Sequence, residues 1–207
     1  VVNGDSPEVG EQWVWLALAR GSKLVLSYHV SKRTQENGNA FLLDIRSRLT
    51  TLPVLSSDAW PGYPRAVGDA FCNPDLPPGG VDYGQIVKSF SGRRRDYDKV
   101  APADGPVRIA KRGFWGAPEM AEIHTSYSER ENLNLRTHLR RLVRRGIGHS
   151  KTYDGHLNTI AGFTFWRNFC LPHGALNGRT PAQAAGLADH CWSTAEFVEA
   201  ALEADEC

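Results

Sequence analysis

A single carboxylate framed by arginines stands in the run T-S-Y-S-E-R-E-N-L-N-L-R-T-H-L-R-R-L-V-R-R, residues 125–145. A carboxylate can hold a hard divalent cation, and the arginines beside it can neutralise the phosphates of a polyanionic substrate. Leu135, Leu139, Leu142 and Val143 fall on one arc when residues are placed about 100° apart, which predicts a helix through the run. Glu129 lies at the edge of that arc, on a face shared with Asn132, Leu133, Arg136 and Arg140. From Ser126 to Lys151 there are seven Lys and Arg (130, 136, 140, 141, 144, 145, 151) against two acids (129, 131), a local charge of +5 in a chain whose total is +1. An amphipathic helix with a solvated arginine face explains the same pattern, so a second carboxylate is needed to favour a metal.

Asp58 is the candidate. It closes the short apolar strand P-V-L-S-S at 53–57 and precedes the turn W-P-G-Y-P, and in α/β folds functional groups gather at strand ends. Two divalent ions clamping an in-line phosphoryl displacement need several carboxylates, and Asp58 with Glu129 supplies part of such a set. The two are 71 residues apart, and packing of a helix on a sheet could bring them together. Spacing alone does not separate them from two unrelated acids. The basic helix adds weight, because phosphate contacts supply non-specific DNA affinity.

The elements that must position these groups follow an α/β pattern. Q-W-V-W-L-A-L-A (12–19) and K-L-V-L-S-Y-H-V (23–30) read as strands of a hairpin. A helix is expected from about Gln35 to Leu49, on Phe41, Leu42, Ile45 and Leu49, and another near Pro64 to Phe71. V-D-Y-G-Q-I-V-K-S-F (81–90) reads as a further strand. Residues 91–118, rich in Gly, Pro and Arg, read as an irregular insertion or a loose hairpin around V-R-I-A (107–110). After the Glu129 helix, a stretch carrying Ile160, Phe163, Phe165, Trp166 and Phe169 reads as a core helix in preference to a base-stacking platform. Thr180 and Ser193 are candidate caps for two short helices in the tail.

The chain of 207 residues, 41% hydrophobic, suits one domain or one with a small appendage. Cys72, Cys170, Cys191 and Cys207 form no C-x-x-C pair, so neither a zinc module nor a disulfide framework is indicated, and a reducing cytosol is the default. No apolar run is long enough to span a bilayer. The histidines, among them His138, His149, His156 and His173, show no H-E-x-x-H spacing. His138 is expected on the polar side of its helix, and His173 reads as a structural or capping residue. Ser56 and Ser57 lack a G-x-S-x-G setting, and R-R-R at 93–95 suits DNA or a solvated loop equally.

Several stretches together resemble the DDE transposases of the bacterial insertion-sequence-one type, whose catalytic domain is ribonuclease H-like. They are W-V-W-L-A-L-A with K-L-V-L-S-Y-H-V-S-K-R (13–33), L-S-S-D-A-W-P-G-Y (55–63), D-Y-G-Q-I-V-K (82–88), T-S-Y-S-E-R-E-N-L-N-L-R-T-H-L-R-R-L (125–142), H-S-K (149–151), N-F-C-L-P-H (168–173) and R-T-P-A-Q-A-A-G-L (179–187). They occur in family order and cover most of the chain, and the E-R-x-N-L-x-x-R core is the most specific of them.

The resemblance implies a mixed sheet flanked by helices over 1–173, with the insertion at about 91–118 and a helical extension over 174–207. It makes Asp58 the second metal carboxylate and Glu129 the third. Arg130, Asn132 and Arg136 would orient the glutamate or contact phosphate. Lys88, Arg140 and Lys151 match basic family positions, and Arg144 joins the same DNA-facing set. Two Mg²⁺ or Mn²⁺ ions, double-stranded DNA at element ends and target, a homo-oligomer and a bacterial, nucleoid-associated cytoplasmic location are implied, with no membrane partner. The family's first aspartate lies in a D-E-x-W-x-F-like strand that would fall before Val1. Asp5, in the turn N-G-D-S-P, is a poor replacement. The chain is therefore expected to lack the first strand and to show weak or no Mg²⁺-dependent cleavage. A catalytically dead remnant that only binds DNA, and an unrelated nucleic-acid-binding α/β module, are the alternatives.

Overall fold

A computed structural model of the chain describes residues 11–72, 80–89, 108–143, 148 and 150–205. The elements run β1 (Trp13–Leu18), β2 (Val25–Ser31), α1 (Gln35–Ser47), β3 (Val54–Asp58), α2 (Tyr63–Phe71), β4 (Asp82–Ser89), β5 (Arg108–Trp115), α3 (Ser126–His138), α4 (Tyr153–Phe169), α5 (Pro181–Ala184) and α6 (Thr194–Asp205). They divide into two compact units, one drawing on the chain up to Arg33 and from Tyr127 onward, the other Thr34–Ser126. Among the described residues no helix is long and apolar enough to cross a membrane.

In the first unit β1 and β2 form an antiparallel hairpin registered from Trp13 opposite Ser31 to Leu18 opposite Val25. Thr152 starts α4 by accepting from the Gly155 amide at 3.1 Å. That helix is fastened to β2 along its length. The Tyr153 hydroxyl donates to the Val30 carbonyl at 2.7 Å, and the buried Asn168 amide bonds both the N–H and the C=O of Val25, at 3.0 and 2.9 Å. Asn168 thus satisfies backbone groups that a neighbouring strand would otherwise take. Phe165 stacks on Phe169 at 4.5 Å and on Phe197 of α6 at 5.1 Å, and Phe169 meets Trp192 at 4.9 Å, so the aromatics pack on one another and on α6; they are only half-buried, and of the residues expected as core in this stretch Ile160 alone is fully buried.

In the second unit β3 and β4 pair parallel, and β4 and β5 antiparallel, giving a mixed sheet in the order β3-β4-β5 flanked by helices. Thr34 caps α1 by accepting from the Asn37 amide. The buried stripe of α1, Phe41, Leu42 and Ile45, packs with Ala66, Val67, Ala70 and Phe71 of α2. At the end of β5, Gly116 adopts φ +64°, where a side chain would collide with Asp82, whose carboxylate receives the Ala117 amide at 2.8 Å.

Three features depart from the sequence expectation. The β1-β2 hairpin and the β3-β4-β5 sheet are separate sheets among the described residues. Residues 108–115, expected to be irregular or a loose hairpin, form a strand paired antiparallel with β4, with a register shift where Trp115 and Gly113 face Tyr83 and Gly84; it is the edge strand among the described residues, and its exposed Arg108, Lys111 and Arg112 hide the β pattern. The Glu129 helix ends at His138, and Arg140–Leu142 is a separate 3-10 turn reached through an extended Leu139. Arginines at 136, 140 and 144, and at 141 and 145, would repel at four-residue spacing in a continued helix. In the last turn the side chains of Arg136, Thr137 and His138 fold back onto the carbonyls four residues earlier, those of Asn132, Leu133 and Asn134, at 2.8, 2.9 and 2.8 Å.

Candidate functional site

Asp58 stands exposed at the C-terminal end of β3, where the parallel pairing with β4 sets it opposite Ile86. Its carboxylate accepts the Trp60 amide at 3.0 Å, which starts the W-P-G-Y turn. Gln85 donates to the Trp60 carbonyl at 3.0 Å and Gln35 to the Gly62 carbonyl at 3.1 Å, so β4 and α1 hold the turn on both sides. Gly62 is required there, because a Cβ would enter the Trp60 ring. Ser57, one residue back, shares a 2.7 Å hydrogen bond with the buried Tyr83 hydroxyl. Burial pushes the Tyr83 phenol up to about 12; the Ser57 and Gln85 hydrogen bonds oppose the shift and the Asp58 charge adds to it. Lys88, the other site residue of this unit, is half-buried on β4 opposite Ile109.

Glu129 lies exposed in the first turn of α3, where a carboxylate suits the positive end of the helix dipole. Arg130 is exposed beside it, and Asn132 and Arg136 are half-buried. Arg140 is exposed in the 3-10 turn, and Lys151 is exposed just before α4. Arg144, R-R-R at 93–95, Asp5 and His149 lie outside the described residues, as does most of the 91–118 segment.

The acid of this helix that the structure buries is Glu131. It forms an ion pair with Arg167 of α4 and accepts from Asn134 at 3.2 Å, and Arg167 also donates to the Lys23 carbonyl at 2.7 Å. Sequence reading counted Glu131 only as a charge. Two signals pointed to it: Glu131 sits one turn before the buried Leu135, and Arg167 is a lone cation in the aromatic run F-T-F-W-R-N-F. A small cavity of about 40 Å³ adjoins the pair, lined by Asn134, His138, Phe163 and His173 among others. His138 is exposed, yet its ring meets Phe163 at 5.6 Å, so it is less purely a polar-face residue than its spacing suggests. His173 accepts the Ala175 amide at 3.2 Å and caps a 3-10 turn; burial, then Arg167 and Lys23, lower its pKa.

Asp58 and Glu129 belong to different units, and each unit by itself offers one of them. Among the described residues no group of three or more His, Cys, Asp or Glu is gathered as a metal site. Among the described residues, neither unit by itself assembles a complete donor set for a two-metal centre. In comparison with known proteins, no protein-family model, no curated protein and no solved structure matches the chain.

Proposed function

We propose that the chain is the catalytic region of a DDE transposase of the insertion-sequence-one type, ribonuclease H-like in fold, acting on double-stranded DNA at element ends and target. Asp58 and Glu129 are the two metal carboxylates carried on its motifs, and the set is incomplete without a third. The observation that supports this reading is the presentation of E-R-x-N-L-x-x-R. Glu129 and Arg130 face solvent while Glu131 is buried, so α3 offers one outward carboxylate among cations. Mg²⁺ or Mn²⁺, when bound, would stabilise charge at the phosphoryl group and its attacking oxygen. Arg130, Arg136, Arg140 and Lys151, with Lys88 in the other unit, would contact phosphate, and Asn132 would orient the glutamate. A homo-oligomer working at the bacterial nucleoid belongs to the same reading.

DNA binding without catalysis is the second reading, favoured by the absence of a gathered acid cluster among the described residues. Titrating the chain with labelled duplex DNA at several salt concentrations, then adding Mg²⁺, separates them. Salt-sensitive binding with little or no cleavage is expected of this chain. Clear strand transfer on end-sequence DNA overturns the incompleteness, and salt-insensitive or absent binding overturns both readings. If the reading frame upstream of Val1 encodes a D-E-x-W strand, the longer protein should cleave DNA. Asp58→Asn and Glu129→Gln should each abolish that cleavage without loss of binding; survival of cleavage in either would remove that residue from the metal set.

A further inference from the structure

Cys170 ends α4, and Cys191 lies on the segment that leads into α6. The two stretches pass each other closely. The Trp192 amide donates to the Phe169 carbonyl at 3.0 Å, and Cys170 and Cys191 are the chain neighbours of these two residues. Each thiol reaches across: the Cys191 Sγ lies 3.4 Å from the Cys170 carbonyl, and the Cys170 Sγ lies 3.9 Å from the Ser193 carbonyl. Trp192 packs on Phe165 and Phe169 at 5.5 and 4.9 Å, so aromatic contacts hold the crossing independently of the sulfurs. Both thiols are free, Cys191 exposed and Cys170 half-buried.

We infer that Cys170 and Cys191 form a reversible disulfide that staples the approach to α6 onto the end of α4. This inference stands apart from the DNA reading. Cys191 is the exposed thiol and so the one an oxidant reaches first, which makes it the attacking sulfur; the half-buried Cys170, its thiol raised by burial and then by Cys191 and Glu196, is the resolving one. With glutathione disulfide as oxidant, the Cys191 thiolate attacks one glutathione sulfur and the other glutathione leaves as thiolate. The Cys170 thiolate then attacks the Cys191 sulfur of the mixed disulfide and expels the second glutathione. The protein loses two electrons and two protons, and one glutathione disulfide becomes two glutathione thiols.

The folded chain is equilibrated with glutathione disulfide, its thiols are blocked, and it is cleaved after Arg179, the one Lys or Arg between the two cysteines. A second cut after Glu196 parts Cys191 from Cys207. A peptide pair joined through Cys170 and Cys191 is expected by mass spectrometry, lost on adding dithiothreitol. The oxidised protein should melt roughly 5–10 °C higher than the reduced one. Cys170→Ser and Cys191→Ser, both conservative, should each remove the pair and the rise. Glutathione adducts alone, pairing through Cys72 or Cys207, or a joined pair without a higher melting point would overturn the inference.

Discussion

Arg167 on α4 and Glu131 on α3 form an ion pair whose side chains are only 5% and 3% exposed. The pair reaches further than two residues, because Arg167 also holds the Lys23 carbonyl at the hairpin turn and Asn134 donates to Glu131. One buried acid therefore fixes which way α3 is turned. With Glu131 inward, Glu129 and Arg130 are carried to the outer face.

Removing either partner should leave an uncompensated buried charge. Glu131→Leu and Arg167→Met should each cost about 3–5 kcal/mol of stability in urea denaturation. The double change Glu131→Leu with Arg167→Met should lose less than either single change, since well-packed apolar groups leave no stranded charge. Losses that simply add would show that the two residues act independently.

The start of α6 should respond to pH from both sides. His190 is held protonated above the ordinary histidine range, first by Asp189 and then by Glu196, and Glu196 is lowered to about 2, chiefly by the Ser193 amide and then by His190. The His190 contribution is complete below the ordinary value of 6.5 and is lost as pH rises through the higher folded midpoint. The Glu196 contribution is present above 4.5 and is lost as pH falls through about 2. Ring-proton NMR of His190 should give the raised midpoint, and Asp189→Asn should lower it. An unchanged midpoint in that variant would remove Asp189 as the main cause.

Alkaline titration should find Tyr83 late. Its folded pKa of about 12 exceeds the ordinary 10.0, so its contribution to stability is complete below 10.0 and is lost as pH rises through about 12. Tyrosinate absorbance of the folded protein should lack one step near the ordinary value, and that step should return on unfolding. Asp58→Asn should move the Tyr83 midpoint down slightly, whereas an upward move would contradict the influence of the Asp58 charge.

DNA affinity should follow the exposed cations of α3 and the turn after it. Arg130→Ala and Arg140→Ala should each weaken duplex binding across sequences and reduce the salt slope by about 1. Without divalent cations, Glu129→Gln should bind slightly more tightly, because it removes a charge that repels phosphate. Fluorescence anisotropy at several salt concentrations measures both effects. A salt slope unchanged in both arginine variants would place the DNA contacts elsewhere.

Local pattern made much of this legible. Apolar runs bounded by turns marked β1, β2 and β4; helical spacing marked α1; and Thr180 was legible as a cap, which the structure shows to be a full capping box with the Thr180 amide 3.0 Å from the Gln183 side chain. Asp58 was placed at its strand end by the turn that follows. The long-range features were hidden for physical reasons. Glu131 looks like any surface acid until its partner, 36 positions away, closes on it. The end of α3 at His138 was missed because apolar spacing ignores the like charges that a continued helix would bring together. β5 is an exposed edge strand, so it carries little of the apolar alternation that marks half-buried strands.

The discontinuity of the first unit bears on how the chain is made. Val25 waits for Asn168, 143 residues later, before its backbone groups are bonded. At about 5–20 residues per second, roughly 7–30 s of synthesis separate the two. The segment Thr34–Ser126 is contiguous and can complete its own contacts first. During that interval Trp15 and Val30, 4% and 1% exposed in the finished protein, have no core to enter. The hairpin therefore stays without its partners from α4 until synthesis has passed Asn168.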